Sequence, residues 1–301
     1  MSLRPRNLPK VRDQILRQIA DPASHLRRIG QARSMEWSED ELCAAAPHLR
    51  ASEMYWVAPD MSALAISAGK ALASATWAAP ARPAPSGLLV WGEGISLASV
   101  GGIRLPVDAC GWGPGPGGDM TLTVYVSRTR LATAIPGYEA LYGKFNLDLD
   151  ALIPPLVPLG FFTLPGGAEP FPFADLTGAP RPLAAALAAA WLLMEQPTLV
   201  ERVRQEADKP VRRAYAREGR PEPEVTILDL RRIYRPEQPD EGDGGQSGRE
   251  YRFRWVVSGH WRDQPWGPRR SLRRQQWIPA YTKGPDGAPL LKTERVNVWR
   301  R

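Results

Sequence analysis

MYWVAPDMSALAISAGKALA, residues 54–73, is the stretch on which the fold class turns. Met54 to Val57 is a short apolar and aromatic run with strand character. Asp60 follows as an N-cap candidate for the Ala-rich stretch Met61 to Ala73, which has helix character. Strand therefore passes directly to helix. Beyond it, Ala78 to Ser86 sets three prolines among small residues and reads as an extended connector into a strand at Leu88 to Trp91.

Working outward in both directions extends the mixed pattern. Upstream, Val11, Ile15, Leu16 and Ile19 recur at helical spacing, so residues 8–33 are expected to form one or two short helices broken near Asp21-Pro22. Ser38 with Glu41 makes a capping box that starts another helix, which Pro47 is expected to end early. Downstream, strands are expected at Ile103 to Trp112 and Met120 to Val126, with GPGPGGD, residues 113–119, as the hairpin loop between them. From Leu152 to Pro182 eight prolines exclude a long helix and leave room for a strand at Leu159 to Leu164.

The strongest helix expectation is Leu183 to Ala207, kinked or split at Pro197. Val225 to Leu230, Arg249 to Trp261, Arg273 to Tyr281 and Glu294 to Trp299 then read as strands of a C-terminal antiparallel sheet of about four strands. The acidic segment at 235–248 reads as a mobile loop, and KGPDGAP, residues 283–289, as a turn. The fold class is α+β, with a mixed N-terminal region over 1–179, then a helix and a basic antiparallel region over 180–301.

Composition narrows the setting. A 43% hydrophobic fraction over 301 residues is enough to bury a core. Cys43 and Cys110 are the only cysteines, far apart and without metal-ligand spacing, so neither a disulfide framework nor a zinc site is expected. MSLRPRNLPKVRDQIL at the start lacks the apolar core of an export signal, and the longest apolar run, Leu183 to Met194, is too short to span a bilayer. A cytoplasmic protein without membrane insertion is the expectation. GPGPGG lacks the Gly-Lys-Ser/Thr ending of a phosphate-binding loop, and no Gly-x-Ser-x-Gly or His-Glu-x-x-His motif occurs, so no cofactor is expected. Asp148, Asp150, Asp240, Glu241 and Asp243 read as solvated loop carboxylates, and His25 and His48 as helix-surface or helix-end residues.

Charge is more informative. The 33 Arg against 6 Lys, with abundant Ala, Pro and Gly, match what GC-rich coding produces. Their distribution does not follow from that. Arg249 to Arg301 holds 13 Lys and Arg against 4 Asp and Glu, a net +9 in a chain whose total is +7. Such a concentration favours association with polyanions.

Within it lies RWVVSGHWRDQPWGPRRSLRRQQWIPAYTKG, residues 254–284. It interleaves Trp255, Trp261, Trp266, Trp277 and Tyr281 with Arg254, Arg262, Arg269, Arg270, Arg273, Arg274 and Lys283. Guanidinium groups pair with phosphate oxygens and aromatic faces stack on bases, so binding of DNA or RNA is expected, with Gly267 to Arg274 as a loop presenting four arginines. Three alternatives stand beside this reading. Tryptophans of a small sheet also serve as core, with arginines lying across them or pointing to water. An acidic protein partner would satisfy the same charge. His260 beside Arg262 would be the minimum equipment of an enzyme acting on RNA or a nucleotide.

GHWRDQPWGP at 259–268, RRQQWIPAYTKGPDGAPLL at 273–291 and VNVWRR at 296–301 resemble the C-terminal block of uncharacterised proteins of actinobacteria, their plasmids and their phages. Weaker echoes lie in SEMYWVAPDMSALA at 52–65 and PAPSGLLVW at 83–91. The resemblance implies a shared fold and a bacterial, mobile-element setting. It assigns no catalytic residue.

Overall fold

Apolar residues at helical spacing fold the start of the chain into α1 (Leu8–Ala20), α2 (His25–Gln31) and α3 (Glu39–Ala51). The structure is a computed structural model, and it describes residues 3–31, 37–72, 76–77, 81–100, 103–134, 152–167, 171–176, 181–231 and 255–283. The chain divides into two units, Met1–Arg231 and Arg232–Arg301. Its class is α+β.

Ser38 caps α3 as expected: the Glu41 backbone N–H donates to the Ser38 hydroxyl, and the Ser38 N–H donates to the Glu41 carboxylate at 2.7 Å. The helix does not stop at Pro47. It continues to Ala51, because Leu42, Ala45 and Leu49 all face the core and their burial outweighs the one backbone hydrogen bond that proline removes.

β1 (Glu53–Val57) follows, then α4 (Pro59–Leu72). Pro59 opens α4, where a missing N–H costs nothing, and Asp60 lies inside the first turn; the capping position belongs to Ala58, whose carbonyl accepts the Ser62 N–H at 2.9 Å. Next come β2 (Thr76–Trp77), β3 (Gly87–Val100), β4 (Ile103–Pro114) and β5 (Met120–Ser127), with Pro116–Gly118 at the tip of the β4–β5 hairpin. α5 (Arg128–Ala134), β6 (Leu156–Leu164), β7 (Phe171–Pro172) and α6 (Arg181–Met194) complete the middle of the chain. The last elements of this unit are β8 (Val200–Glu206), α7 (Lys209–Arg217) and β9 (Glu224–Leu230).

Seven strands form one sheet in the order β6-β5-β4-β3-β1-β9-β8. β1 runs parallel to both neighbours, pairing Glu53 with Gly87 and Tyr55 with Thr226, while the flanking pairs are antiparallel. The strand-to-helix reading of residues 54–73 thus becomes a β1–α4–β3 crossover.

Alternation of side chains sends β1 and β3 to two different layers. Met54, Leu88 and Val90 join Leu8, Val11, Ile15, Leu42 and Leu49 beneath α1–α3. Tyr55 faces the other way and stacks on Trp112 at 5.9 Å, and Trp112 meets Trp191 of α6 edge-on at 5.1 Å. On that side α4 and α6 approach so closely that a Cβ on Gly69 would lie 2.9 Å from the Ala185 and Ala186 backbone, so glycine is required there.

The helix expected to reach Ala207 ends at Met194. Pro197 cannot continue it, and Val200–Glu206 turns back as β8, an edge strand. Its Glu201, Arg202, Arg204 and Glu206 are the charges that keep a sheet edge from pairing further. Val225 to Leu230 is a strand as expected, but it belongs to this central sheet and not to a C-terminal one.

α7 is not predicted from the sequence. It is fixed to α1 through Arg12, which donates to the Ser52 carbonyl at 2.8 Å and to the Tyr215 hydroxyl at 3.1 Å. Tyr215 donates to Asp13, and Arg220, whose guanidinium lies 3.7 Å from the Tyr215 ring centre, donates to both Asp13 oxygens. No helix among the described residues is long and apolar enough to cross a membrane.

Candidate nucleic-acid interface

The second unit is built from strand pairs. β10 (Trp255–Val257) pairs antiparallel with β13 (Tyr281–Lys283), and β11 (His260–Trp266) pairs antiparallel with β12 (Leu272–Ile278). Among the described residues these are two separate two-stranded ribbons, not one sheet of four. Arg254, the acidic segment 235–248 and the strand expected at Glu294 to Trp299 lie outside the described residues.

The register of β11 and β12 sorts their side chains. His260 opposes Ile278, Arg262 opposes Gln276, Gln264 opposes Arg274, and Trp266 opposes Leu272. Because successive residues of a strand point to opposite faces, these eight share one face. Trp261 with Trp277, Asp263 with Gln275, and Pro265 with Arg273 form the other. Contacts agree with the sorting. Trp261 and Trp277 meet edge-on at 5.3 Å, the Gln275 amide donates to the Asp263 carboxylate, and the Arg274 guanidinium lies 5.9 Å from the Trp266 ring centre.

The two faces differ in exposure. Trp277 is 4% exposed and is the ribbon's buried anchor, whereas Trp266 and Leu272 stay 46% and 44% exposed. Trp277 was expected to offer a stacking surface; its burial against Trp261 takes that surface away. Tyr281 is half-buried on β13, and Lys283 is exposed beside it.

The four expected loop arginines separate. Arg269 and Arg270 occupy the turn, while Arg273 and Arg274 belong to β12 and point to opposite faces. Gly267 enters the turn at φ 77° and ψ −174°, a conformation available in practice to glycine alone. Arg269 and Arg270 both adopt left-handed backbone, at φ 52° and φ 55°. For residues with a Cβ this costs about 1–2 kcal/mol each. Surrounding bonds hold the conformation. The Arg270 N–H donates to the Gly267 carbonyl at 3.1 Å, the Ser271 hydroxyl to the Pro268 carbonyl at 3.0 Å, and Arg273 to the Arg270 carbonyl at 2.9 Å.

His260 is exposed, with Nδ1 3.1 Å from the Ser258 carbonyl oxygen. Its own face of the ribbon carries Arg262 and Arg274 but no carboxylate. Gln264 and Gln276 share that face and were missed in the sequence because neither is charged or aromatic. The period-two alternation on both sides of the turn was the signal that could have found them.

A concavity of about 350 Å³ lies along α7 between Lys209, Arg212, Arg213, Arg220 and Glu222. Much of its positive charge is already matched. Arg212 pairs with Glu206 and Glu222 at 3.1 and 3.0 Å, and Arg220 with Asp13 and Glu218. No group of three or more His, Cys, Asp or Glu among the described residues is placed to hold a metal ion.

No family model matches this chain, and no curated protein matches it. The ribbon offers exposed guanidinium groups for phosphate oxygens, carboxamides for hydrogen bonding, and one open indole for stacking.

Proposed function

We propose that this chain is a nucleic-acid-binding protein of a bacterial or mobile-element system, and that the β11–β12 ribbon is its contact surface. One observation carries the reading. Arg262, Arg269, Arg270, Arg273 and Arg274 are all exposed on a single hairpin, and its Asp263 carboxylate already accepts from Gln275 on the opposite face from Arg262 and Arg274. Five arginines against the single Asp263 carboxylate on this hairpin oppose folding through self-repulsion, and a polyanion removes that repulsion. The net +9 of residues 249–301 acts in the same direction.

The test is a titration of labelled DNA and RNA with the purified chain over a series of salt concentrations. Replacing Arg269, Arg270, Arg273 and Arg274 with Ala is expected to weaken binding at least tenfold. It should also flatten the plot of log K against log salt by about 0.9 for each arginine that touches a duplex phosphate. An unchanged slope would remove the ribbon from the interface. Absence of binding, with retention of an acidic protein through purification, would replace nucleic acid by that partner.

A further inference from the structure

We infer that the β11–β12 ribbon reads base edges in the major groove of duplex DNA, through Arg262 with Gln276 and Gln264 with Arg274; this rests on the nucleic-acid reading above. The register places each arginine directly across from a glutamine, twice in succession, on one face of the ribbon. A surface built only for phosphates draws its affinity from guanidinium charge, and a carboxamide adds one neutral donor there while its acceptor oxygen finds no partner. Base edges use both. A guanidinium fork matches the O6 and N7 acceptors of guanine, and a glutamine amide matches the N6 donor and N7 acceptor of adenine.

Dimensions agree. Residues i and i+2 on one face of a strand are about 6.7 Å apart, and stacked base pairs rise 3.4 Å, so the two cross-strand pairs are spaced by about two base steps. Two strands about 4.8 Å apart form a ribbon of the kind that the roughly 12 Å major groove of B-form DNA admits. The major groove of an A-form RNA helix is too deep and narrow for side chains to read. A single strand is bound instead on successive aromatic platforms. On the base-reading face the aromatic rings are Trp266 and His260, at opposite ends of β11 and so not successive platforms, while Trp261 and the buried Trp277 belong to the opposite face.

Orientation is prepared before any ligand arrives. The Arg274 guanidinium lies 5.9 Å from the Trp266 ring centre, at the outer limit of a cation–π contact, which biases it weakly toward the face that carries Gln264. At the tip, the left-handed Arg269 and Arg270 extend beyond the paired strands, braced by Arg273 through the Arg270 carbonyl. Cations at the end of a groove-bound ribbon meet the phosphates that flank the groove and fix its register.

The experiment selects bound sequences from a random duplex DNA pool with the full chain. It then compares the enriched duplex with a scrambled duplex, its own single strand and an RNA duplex. A short core of guanine and adenine positions is expected, bound at least tenfold more tightly than the other three. Gln264→Met and Gln276→Met, close in shape but unable to pair with adenine, should each cost about tenfold in preference and leave the salt slope unchanged. Arg269→Ala with Arg270→Ala should weaken all duplexes alike and flatten the slope. Nucleic-acid binding without sequence enrichment, or equal affinity for single strand or RNA duplex, would overturn the groove inference and leave the broader reading standing. No binding to any of the four would overturn both.

Discussion

Trp191 and Trp266 are both indoles on regular secondary structure, yet one has no exposed surface and the other is 46% exposed. In the first unit a helix layer covers each face of the seven-stranded sheet, so Trp91, Trp112 and Trp191 are closed in from both sides. In the β11–β12 ribbon only one face carries a packed pair, Trp261 on Trp277. Stability and recognition are thereby divided between the two units. Apolar area buried in layers supplies the free energy of the first unit, whereas the ribbon depends on hydrogen-bond register, a few side-chain contacts and a constrained turn. That leaves one of its faces available for a partner.

The largest effect is expected at Trp191. Trp191→Ala should destabilise the chain by about 3–5 kcal/mol, read from the urea midpoint, because it removes the ring that Trp112 leans on and leaves a cavity. A loss below about 1 kcal/mol would mean that the α6 layer is not the core of the fold. In the ribbon the corresponding weak point is backbone. Gly267→Ala should cost about 1–3 kcal/mol of hairpin stability, since its φ and ψ suit glycine and the new Cβ would come 2.9 Å from Leu272. Faster amide exchange across β11 and β12 would report it; unchanged exchange would show that the turn does not set the register.

The smallest effect expected is on pH dependence and belongs to the first unit. The His48 ring lies against Gly113 of β4, and burial lowers its pKa below the ordinary 6.5. His25 is lowered too, by burial and then by Arg28. The unfolded chain therefore binds protons more readily than the folded one. Stability should be intact above pH 6.5 and decline as pH falls from there through the folded-state pKa values. His48→Gln should flatten the decline in urea midpoint below about pH 6.5; an equal slope would place the titration elsewhere.

Local patterns carried much of the first unit. The Ser38–Glu41 box, the break at Asp21-Pro22 and the β4–β5 hairpin are decided by residues within a few positions of one another, and they were legible in the sequence. Val200 to Glu206 was not, because a charged stretch after a leucine-rich helix is compatible with another helical turn until β9 is available to pair with it. Val225 to Leu230 was recognisable as a strand, but its sheet is chosen by β1, far away in the chain. α7 could have been found from Pro210 near its start and from Val211 and Tyr215 one turn apart.

In the ribbon, the basic and aromatic composition was plain. What it left open was which residues share a face, and that follows only once the turn is confined to Gly267 to Ser271. Shifting either strand by one residue would exchange the faces entirely.

β1 is an interior strand of the sheet, yet Tyr55 waits for Thr226. On a ribosome, β1, α4, β3, β4, β5 and β6 all emerge before β9 exists. At about 5–20 residues per second, the interval lasts roughly ten to thirty seconds. Throughout it, one side of β1 is an unpaired strand edge, the kind of surface on which nascent chains stick to one another. Heterologous production should therefore depend on translation rate and holding chaperones more than the stability of the finished fold would suggest.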